Sequence, residues 1–318
     1  MLLLFIGLDY AVQAGLESCI TEEAFMKRYL PQHKSVILDH SKLEEVASGN
    51  YGAVFALPTN SGILALKRLK TMSASSMKDL VDEVDAGKKL QGVQGVVSQY
   101  HCIVGQKWAG IVMEKLHDTL FSAAGQILGL PFDKKLNVYA ILASHTHQMH
   151  SRGFIHNDIK PMNVMITDAA ISDLRFIDFG ISCRIGQMCI GGTRELSPPE
   201  KLQRNLTIRG HYSIDTWGVL MSIVFTENRN EYSLLKKSIE LSCKLSAFHL
   251  ENCYGRMIGA VRSMLAKTQA PLKEYILKSL DRVPEKRPTP LQIFDAFRVM
   301  SVEAQVNENF QRIQQNFQ

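Results

Sequence analysis

The hydrophobic pattern changes its period along this chain, and this change restricts the fold more than any other feature. From about residue 36 to 115, short apolar alternations such as YGAVFAL and GILALKRL are separated by turn residues, which predicts short strands. One stretch near 76–91 has helical spacing instead. From about residue 116 onward helical periodicities dominate, including 133–151 and 213–226. We therefore predict an α+β chain with two lobes, a small β-rich N-lobe with one main helix and a larger, mainly helical C-lobe.

Two terminal segments lie outside this pattern, so the main domain is predicted to span residues 36–300. Residues 1–35 are predicted to form an N-terminal extension with a helix that Thr21 caps and Pro31 ends. Residues 301–318 are predicted to form a helical tail whose apolar face packs on the protein's own surface, with a partner-docking helix as the alternative. That face carries Val302, Val306, Phe310, Ile313 and Phe317.

Charge and cysteine content limit the classes of function. The 318 residues include 36 Lys and Arg and 31 Asp and Glu, which gives a net charge of +5. This positive charge suits an anionic ligand, but it is spread too evenly along the chain to indicate nucleic acid binding. The six cysteines are irregularly spaced, which predicts reduced thiols in an intracellular protein. The opening MLLLFIGLDY lacks the basic start of a signal peptide, and no apolar stretch approaches the roughly 20 residues that span a bilayer.

The segment VASGNYGAVF, residues 46–55, lies between two predicted strands. Gly49 and Gly52 would let the backbone approach a ligand closely and direct its amide groups at phosphate oxygens. A hairpin that merely contains glycine is the alternative.

A lysine in the next predicted strand strengthens the phosphate interpretation. In GILALKRLK, the period of two places Ala65 and Lys67 on one face, a small side chain beside an ammonium group. Because an unpaired charge in an apolar run is costly, Lys67 should have a carboxylate partner. The following helical stretch offers Asp79, Asp82, Glu83 and Asp85.

Residues 155–166, IHNDIKPMNVMI, concentrate polar groups between apolar flanks. Asp158 can accept a hydroxyl proton, Lys160 can neutralise phosphoryl oxygens, and Asn163 supplies a neutral oxygen ligand for a hard cation. A second carboxylate, Asp178 in LRFIDFG, lies at the end of an apolar strand-like stretch and just before a glycine. This set of groups indicates phosphoryl transfer from a nucleotide.

In order and spacing these motifs resemble the eukaryotic-type protein kinase family. The chain carries ASGNYG, LALK, HNDIKPMN, DFG and SPPE in that family's order, and the resemblance covers roughly residues 40–298. It implies binding of ATP with Mg²⁺, or alternatively Mn²⁺. It further implies catalytic roles for Asp158 and Lys160, metal binding by Asn163 and Asp178, and contact of Lys67 with the α and β phosphates.

The resemblance also implies how the nucleotide is held. Glu83 aligns best as the partner of Lys67, and Met113 would be the gatekeeper before a hinge at Glu114 and Leu116. The loop over the phosphates would comprise Ala47, Ser48, Gly49, Asn50, Tyr51 and Gly52, and the adenine would lie between Val54 and Ala65 on one side and Met165 on the other.

Further matches favour protein substrates with Ser or Thr acceptors. Lys160 and Thr193 are typical of the serine/threonine branch. Towards the C-terminus, Glu200 and Arg287 match a buried ion pair of the family, and Asp215 and Trp217 match the helix beneath the catalytic loop.

Departures from the family's pattern leave other classes open. Ala47 replaces the first glycine of the loop, and Gly87 stands where a bulky apolar residue usually packs against the phenylalanine of DFG, so either neighbours fill the gap or the helix is poorly anchored. Asn157 replaces an arginine that pairs with a phosphorylated activation loop, and only 23 residues run from Asp178 to Glu200, so we predict activity without loop phosphorylation. A pseudokinase scaffold and a small-molecule kinase are the alternatives. The compact form would suit a viral kinase or a pathogen effector in a host cell.

Overall fold

The computed structural model describes residues 16–30, 38–49, 52–204, 206–228, 230, 236–237 and 250–316. These residues form two compact units. The N-terminal unit extends to residue 92 and includes 96–116 and 178–180, whereas the C-terminal unit comprises 93–95, 117–177 and the described residues from 181 onward. The predicted α+β class, with a β-rich first part and a helical second part, is confirmed.

A six-stranded sheet builds the N-terminal unit. Its strand order is β1-β5-β6-β4-β3-β2, with β1 parallel to β5 and the other neighbours antiparallel. The strands are β1 (Ile20–Thr21), β2 (Glu44–Ser48), β3 (Gly52–Thr59), β4 (Gly62–Leu69), β5 (Gln99–Val104) and β6 (Ala109–Glu114).

The predicted N-terminal helix is present as α1, Glu22–Tyr29. The Thr21 hydroxyl accepts a hydrogen bond from the Ala24 N–H at 3.2 Å, which caps the helix as the sequence predicts. Phe25 and Met26 are buried in a core cluster with side chains of the sheet. The helix therefore packs as part of the N-terminal unit.

A second helix, α2 (Ala74–Lys89), matches the helical stretch predicted near 76–91. It begins where the Ser73 hydroxyl accepts a hydrogen bond from the Ser76 N–H. Its buried face includes Leu80, Glu83 and Val84. A carboxylate on a buried face requires a cation partner.

The C-terminal unit is mainly helical. Its large buried aromatic side chains include Tyr139, Trp217, Phe225 and Phe297, and no described helix is both long and apolar enough to cross a bilayer. The helices are α3 (Leu120–Leu128), α4 (Phe132–Ser151), α5 (Pro199–Gln203), α6 (Tyr212–Glu227), α7 (Leu250–Met264), α8 (Ala270–Ser279) and α9 (Pro290–Asn316). Short strands lie among them: β7 (Asp118–Thr119), β8 (Phe154–Ile155), β9 (Val164–Ile166), β10 (Leu174–Phe176), β11 (Cys183–Arg184), β12 (Met188–Ile190) and β13 (Thr207–Arg209).

The C-terminal tail continues helix α9, and its predicted packing is wrong. The helix contacts α4 through Ser301 and Gln305, which bond the backbone and side chain of Asp133. The predicted apolar row lies on another side of the helix, where Val302, Val306 and Phe310 are 54%, 61% and 60% exposed. The side chains of Ile313 and Phe317 lie outside the described residues.

The prediction of reduced thiols is also wrong for four of the cysteines. Cys19 and Cys102 form a disulfide with Cα atoms 4.5 Å apart, and Cys183 and Cys189 form another with Cα atoms 5.4 Å apart. Cys19 and Cys102 are separated by 83 residues and meet because β1 pairs with β5, which cysteine spacing does not reveal. The intracellular location, which rested partly on reduced thiols, stays a prediction.

Candidate active site

Two groups of polar side chains stand out, one in each unit. In the N-terminal unit, the ammonium of Lys67 donates to both carboxylate oxygens of Glu83, at 2.9 and 2.7 Å, and to Oδ1 of Asp178 at 2.9 Å. Burial opposes the charged lysine, but the two carboxylates outweigh it and raise the pKa of Lys67 above its ordinary value. The ammonium is therefore permanently charged, and Glu83 is the partner among the four predicted candidates.

Strand register explains the positions of the predicted nucleotide contacts in this unit. Val54 of β3 lies opposite Lys67 of β4, and Ala65 lies opposite Met113 of β6. A Cβ at Gly52 would clash with the carbonyl oxygen of Arg68, so only glycine permits this strand pairing. Ala47 and Ser48 end the exposed strand β2, and Gly49 donates its N–H to the Gly52 carbonyl at 2.9 Å. Asn50 and Tyr51 lie outside the described residues.

The predicted hinge follows strand β6. Met113 and Leu116 are buried, at 8% and 7% exposed. Glu114 is fixed to Ser98 by two hydrogen bonds, one from its own N–H to the Ser98 carbonyl at 2.9 Å and one from the Ser98 N–H to its carboxylate at 2.6 Å. This part of the backbone is consequently well ordered for contact with a flat ligand edge.

The side chain of Gln99 occupies the space beside Gly87 of α2. A Cβ on Gly87 would overlap the amide group of Gln99, so a neighbour fills the gap, which settles the two alternatives left by the sequence. The Nε2 atom of Gln99 is buried without a hydrogen-bond partner. Sequence reasoning missed Gln99, because its contact with Gly87 depends on how β5 packs on α2.

We expect the Gly87→Leu variant to be less stable by about 1–3 kcal/mol, because the larger side chain overpacks the space that Gln99 occupies. Adding Gln99→Ala should restore most of this loss by vacating that space. Thermal unfolding measures both effects. Gly125→Leu is the matched control, since a Cβ there meets nothing within 4 Å. Equal unfolding temperatures for the Gly87→Leu single and double variants would contradict the packing argument.

In the C-terminal unit, one carboxylate organises the polar loop between β8 and β9. Asp158 accepts the Thr193 N–H on Oδ1 at 2.8 Å and the Lys160 ammonium on Oδ2 at 2.6 Å. Lys160 also donates to the Thr193 hydroxyl at 2.8 Å. The amide nitrogen of Asn163 donates to Asp158 Oδ2 and to its carbonyl, both at 3.1 Å. The predicted catalytic residues are thus brought together.

A buried aspartate of helix α6 holds the backbone at the start of this loop. Asp215 of α6 accepts the backbone N–H groups of His156 and Asn157 at 2.8 and 2.9 Å, and the ring of His150 at 2.8 Å. Burial alone would raise the pKa of Asp215, but the bonds from His150 and His156 outweigh it and lower the pKa. Asp215 therefore stays ionised.

The ring of His145 has a carboxylate partner of its own. Its Nε2 atom lies 2.6 Å from Oδ1 of Asp173, at hydrogen-bond distance.

Each unit offers an oxygen donor of the kind that suits a hard divalent cation. In the C-terminal unit, the amide nitrogen of Asn163 faces Asp158, so its oxygen is the atom left for a ligand. In the N-terminal unit, Asp178 offers a carboxylate beside Lys67. Oxygen donors of this kind fit Mg²⁺. Asn163 lies in the C-terminal unit and Asp178 in the N-terminal unit.

Comparison with known proteins agrees with this chemistry. The family model for the protein kinase domain matches residues 40–297. A probable serine/threonine-protein kinase of Dictyostelium discoideum is 26% identical over 79% of the chain and 54% of its own length. The mouse serine/threonine-protein kinases SBK1 and SBK2 are 25% and 26% identical, over 61% and 59% of the chain and 49% and 54% of their own lengths. The chain thus spans about half the length of these relatives.

Proposed function

Because this chain belongs to the protein kinase domain family, we propose that it transfers the γ-phosphate of ATP to Ser and Thr hydroxyls of protein substrates. The observation that carries the proposal is the Asp158 carboxylate, which is held by the Thr193 N–H, the Lys160 ammonium and the Asn163 amide. A carboxylate fixed by three neighbouring groups and next to a lysine suits proton acceptance beside a transferring phosphoryl group.

The N-terminal unit would bind the nucleotide. Lys67, whose orientation Glu83 fixes, would contact the α and β phosphates. The loop predicted from the sequence would cover the triphosphate. The backbone of Glu114 and Leu116 binds the adenine edge beside Met113. Val54 and Ala65 would contact one face of the ring, and Met165 stays a prediction for the other face.

The transfer step would be centred on Asp158. Its carboxylate accepts the proton of the substrate hydroxyl as the hydroxyl oxygen attacks the γ-phosphorus. The bond from that phosphorus to the β–γ bridging oxygen breaks, and ADP leaves with the electron pair. Lys160 offsets charge on the transferring group, while Asn163 and Asp178 would hold the divalent cation, which neutralises charge on the β and γ phosphates.

Contacts in the C-terminal unit favour protein substrates over small molecules. Thr193 bonds Lys160 through its hydroxyl and Asp158 through its N–H, so the activation segment is tied to the catalytic loop where an acceptor residue would bind. Arg287 forms a bidentate pair with Glu200 at 2.7 Å on both oxygens, which anchors the end of that segment. The relatives named above are serine/threonine-protein kinases, which supports the same class.

A transfer assay tests the proposal. Wild-type protein incubated with radiolabelled ATP, Mg²⁺ and generic protein substrates should yield labelled phosphoserine or phosphothreonine, and Lys67→Met should lose most of this label. Binding of ATP without any transfer would instead support the pseudokinase scaffold. Label on small molecules alone would support a small-molecule kinase.

We propose further that activity does not depend on a phosphate in the activation segment. Asn157, which replaces the family's phosphate-binding arginine, donates its amide directly to the carbonyls of Ile181 and Ile190 within that segment, at 2.8 and 3.0 Å. Protein treated with a broad phosphatase should keep its transfer rate within about twofold. A collapse of the rate after treatment, reversed by rephosphorylation, would exclude this.

A further inference from the structure

Lys201 of helix α5, the residue that follows the activation segment, is a fully buried lysine with 0% of its surface exposed. Its ammonium donates to the backbone carbonyl of Asn157 at 3.1 Å and to the side-chain oxygen of the same residue. Lysine is almost never fully buried without a specific partner. Both bonds go to the residue immediately before Asp158.

A glycine beside the Lys201 ammonium leaves room for it. Gly192 has a φ of +119°, and a Cβ there would lie 2.8 Å from the Lys201 nitrogen. Any larger residue would therefore displace the ammonium. The charged groups that face it are Asp158, Asp215 and Glu200.

Of these carboxylates, Asp215 and Glu200 already bond other groups. Asp215 bonds His150 and two backbone N–H groups, and Glu200 pairs with Arg287. The hydrogen bonds described for the Lys201 ammonium go to Asn157 alone. Lys201 therefore acts on Asp158 in two ways, by charge through space and by its bonds to the preceding residue.

The peptide group between Asn157 and Asp158 is held at both of its ends. Lys201 binds its carbonyl, and the His156 ring accepts its N–H at 3.4 Å. Asn157 itself has a φ of +72°, an unusual conformation for a residue with a side chain. Because a peptide group is planar, fixing the carbonyl also fixes the direction in which the Asp158 backbone begins.

We propose that Lys201 is a positioning residue, whose buried ammonium holds Asn157 and thereby sets the Asp158 carboxylate for proton acceptance. The inference rests on the proposed kinase function and deepens it. The cation that holds the catalytic loop comes from the residue that follows the activation segment, whereas the family's pattern uses an arginine and a loop phosphate for this link.

The charge of Lys201 gives this role a distinctive pH dependence. Burial lowers the pKa of Lys201 to about 8, although Asp158, Asp215 and Glu200 oppose the shift. The ammonium is lost above about pH 8, so catalysis should decline there. The free energy of unfolding should instead rise with pH between the folded and the unfolded pKa of Lys201. Over that range the folded state has already lost the proton, whereas the unfolded state still binds it.

The test compares Lys201→Met with the wild type. We expect kcat to fall about 10- to 100-fold with KM for ATP unchanged, as for a slightly misplaced catalytic group. The variant should also lack the decline of kcat above about pH 8 that the wild type shows. Asn157→Gly, which tolerates the positive φ, should make the Lys201→Met effect non-additive, since both act through one contact.

Lys135→Met is the matched control, since Lys135 is a buried lysine that pairs with Glu227 at 3.0 Å on other helices. It should leave the pH profile of kcat unchanged. An unaltered kcat in folded Lys201→Met would overturn the inference while the kinase function stands. If that variant does not fold, a wild-type kcat that stays level above about pH 8 overturns it. A wild type without any transfer activity removes the kinase function and this inference together.

Discussion

Asp158→Asn will lower kcat for phosphoryl transfer by about 10³-fold, which corresponds to about 4 kcal/mol of barrier. The amide cannot accept the proton of the substrate hydroxyl. It also presents an N–H donor to the Lys160 ammonium, which now donates to Oδ2 of Asp158 at 2.6 Å. ATP binding should change little, because the contacts to the α and β phosphates are predicted for Lys67 and not for Asp158. Initial rates measured over a range of ATP concentrations separate the two effects.

The matched control for this variant is Asp168→Asn. Asp168 lies in a turn, where its Oδ1 accepts the N–H groups of Ala170 and Ser172 at 2.8 and 3.2 Å, and an asparagine oxygen can accept the same bonds. Its kcat should equal that of the wild type. If Asp158→Asn retained more than about a tenth of the wild-type rate, another group would have to be the base.

Glu200→Leu is expected to lower the free energy of unfolding by about 3–5 kcal/mol, because it leaves the Arg287 guanidinium buried without its carboxylate. Arg287 is only 2% exposed, lies 4.8 Å from the centre of the Trp217 ring, and bonds both Glu200 oxygens at 2.7 Å. Urea denaturation at neutral pH measures the change. This loss of stability measures the cost of leaving Arg287 buried without a carboxylate, and not the net stabilisation that the ion pair provides.

Two companion variants check that explanation. Glu200→Leu combined with Arg287→Met removes both charges and should lose less stability than Glu200→Leu alone. Glu308→Gln breaks an exposed pair with Arg312 on helix α9 and should cost less than about 1 kcal/mol. A loss for Glu200→Leu as small as that for Glu308→Gln would mean that solvent reaches Arg287.

The residues proposed for catalysis could be selected from the sequence because each lies in a short segment with its own chemical pattern. Asp158, Lys160 and Asn163 occur within six residues, and the loop backbone determines their mutual distances. The carboxylate partner of Lys67 could not be chosen from the local sequence alone. Four carboxylates were available, and the family's helix pattern selected Glu83, which the structure confirms.

Contacts between distant segments could not be predicted. Lys201 follows Glu200 in a short polar helix and has no feature in the sequence that marks it as buried. Gln99 fills the space at Gly87 from another strand, and Cys19 meets Cys102 only because β1 pairs with β5. The exposed row at Val302, Val306 and Phe310 shows the reverse case, where apolar spacing does not say which side of a helix meets the core.

The strand and helix at residues 20–29 mean that the family boundary and the folding boundary do not coincide. The family match begins at residue 40, yet β1 covers an edge of the sheet at β5, and α1 places Phe25 and Met26 in the same cluster as Leu57 and Ile103. A recombinant fragment begun at residue 40 would open that edge and uncover apolar side chains. Both changes favour aggregation, so soluble expression requires the preceding segment.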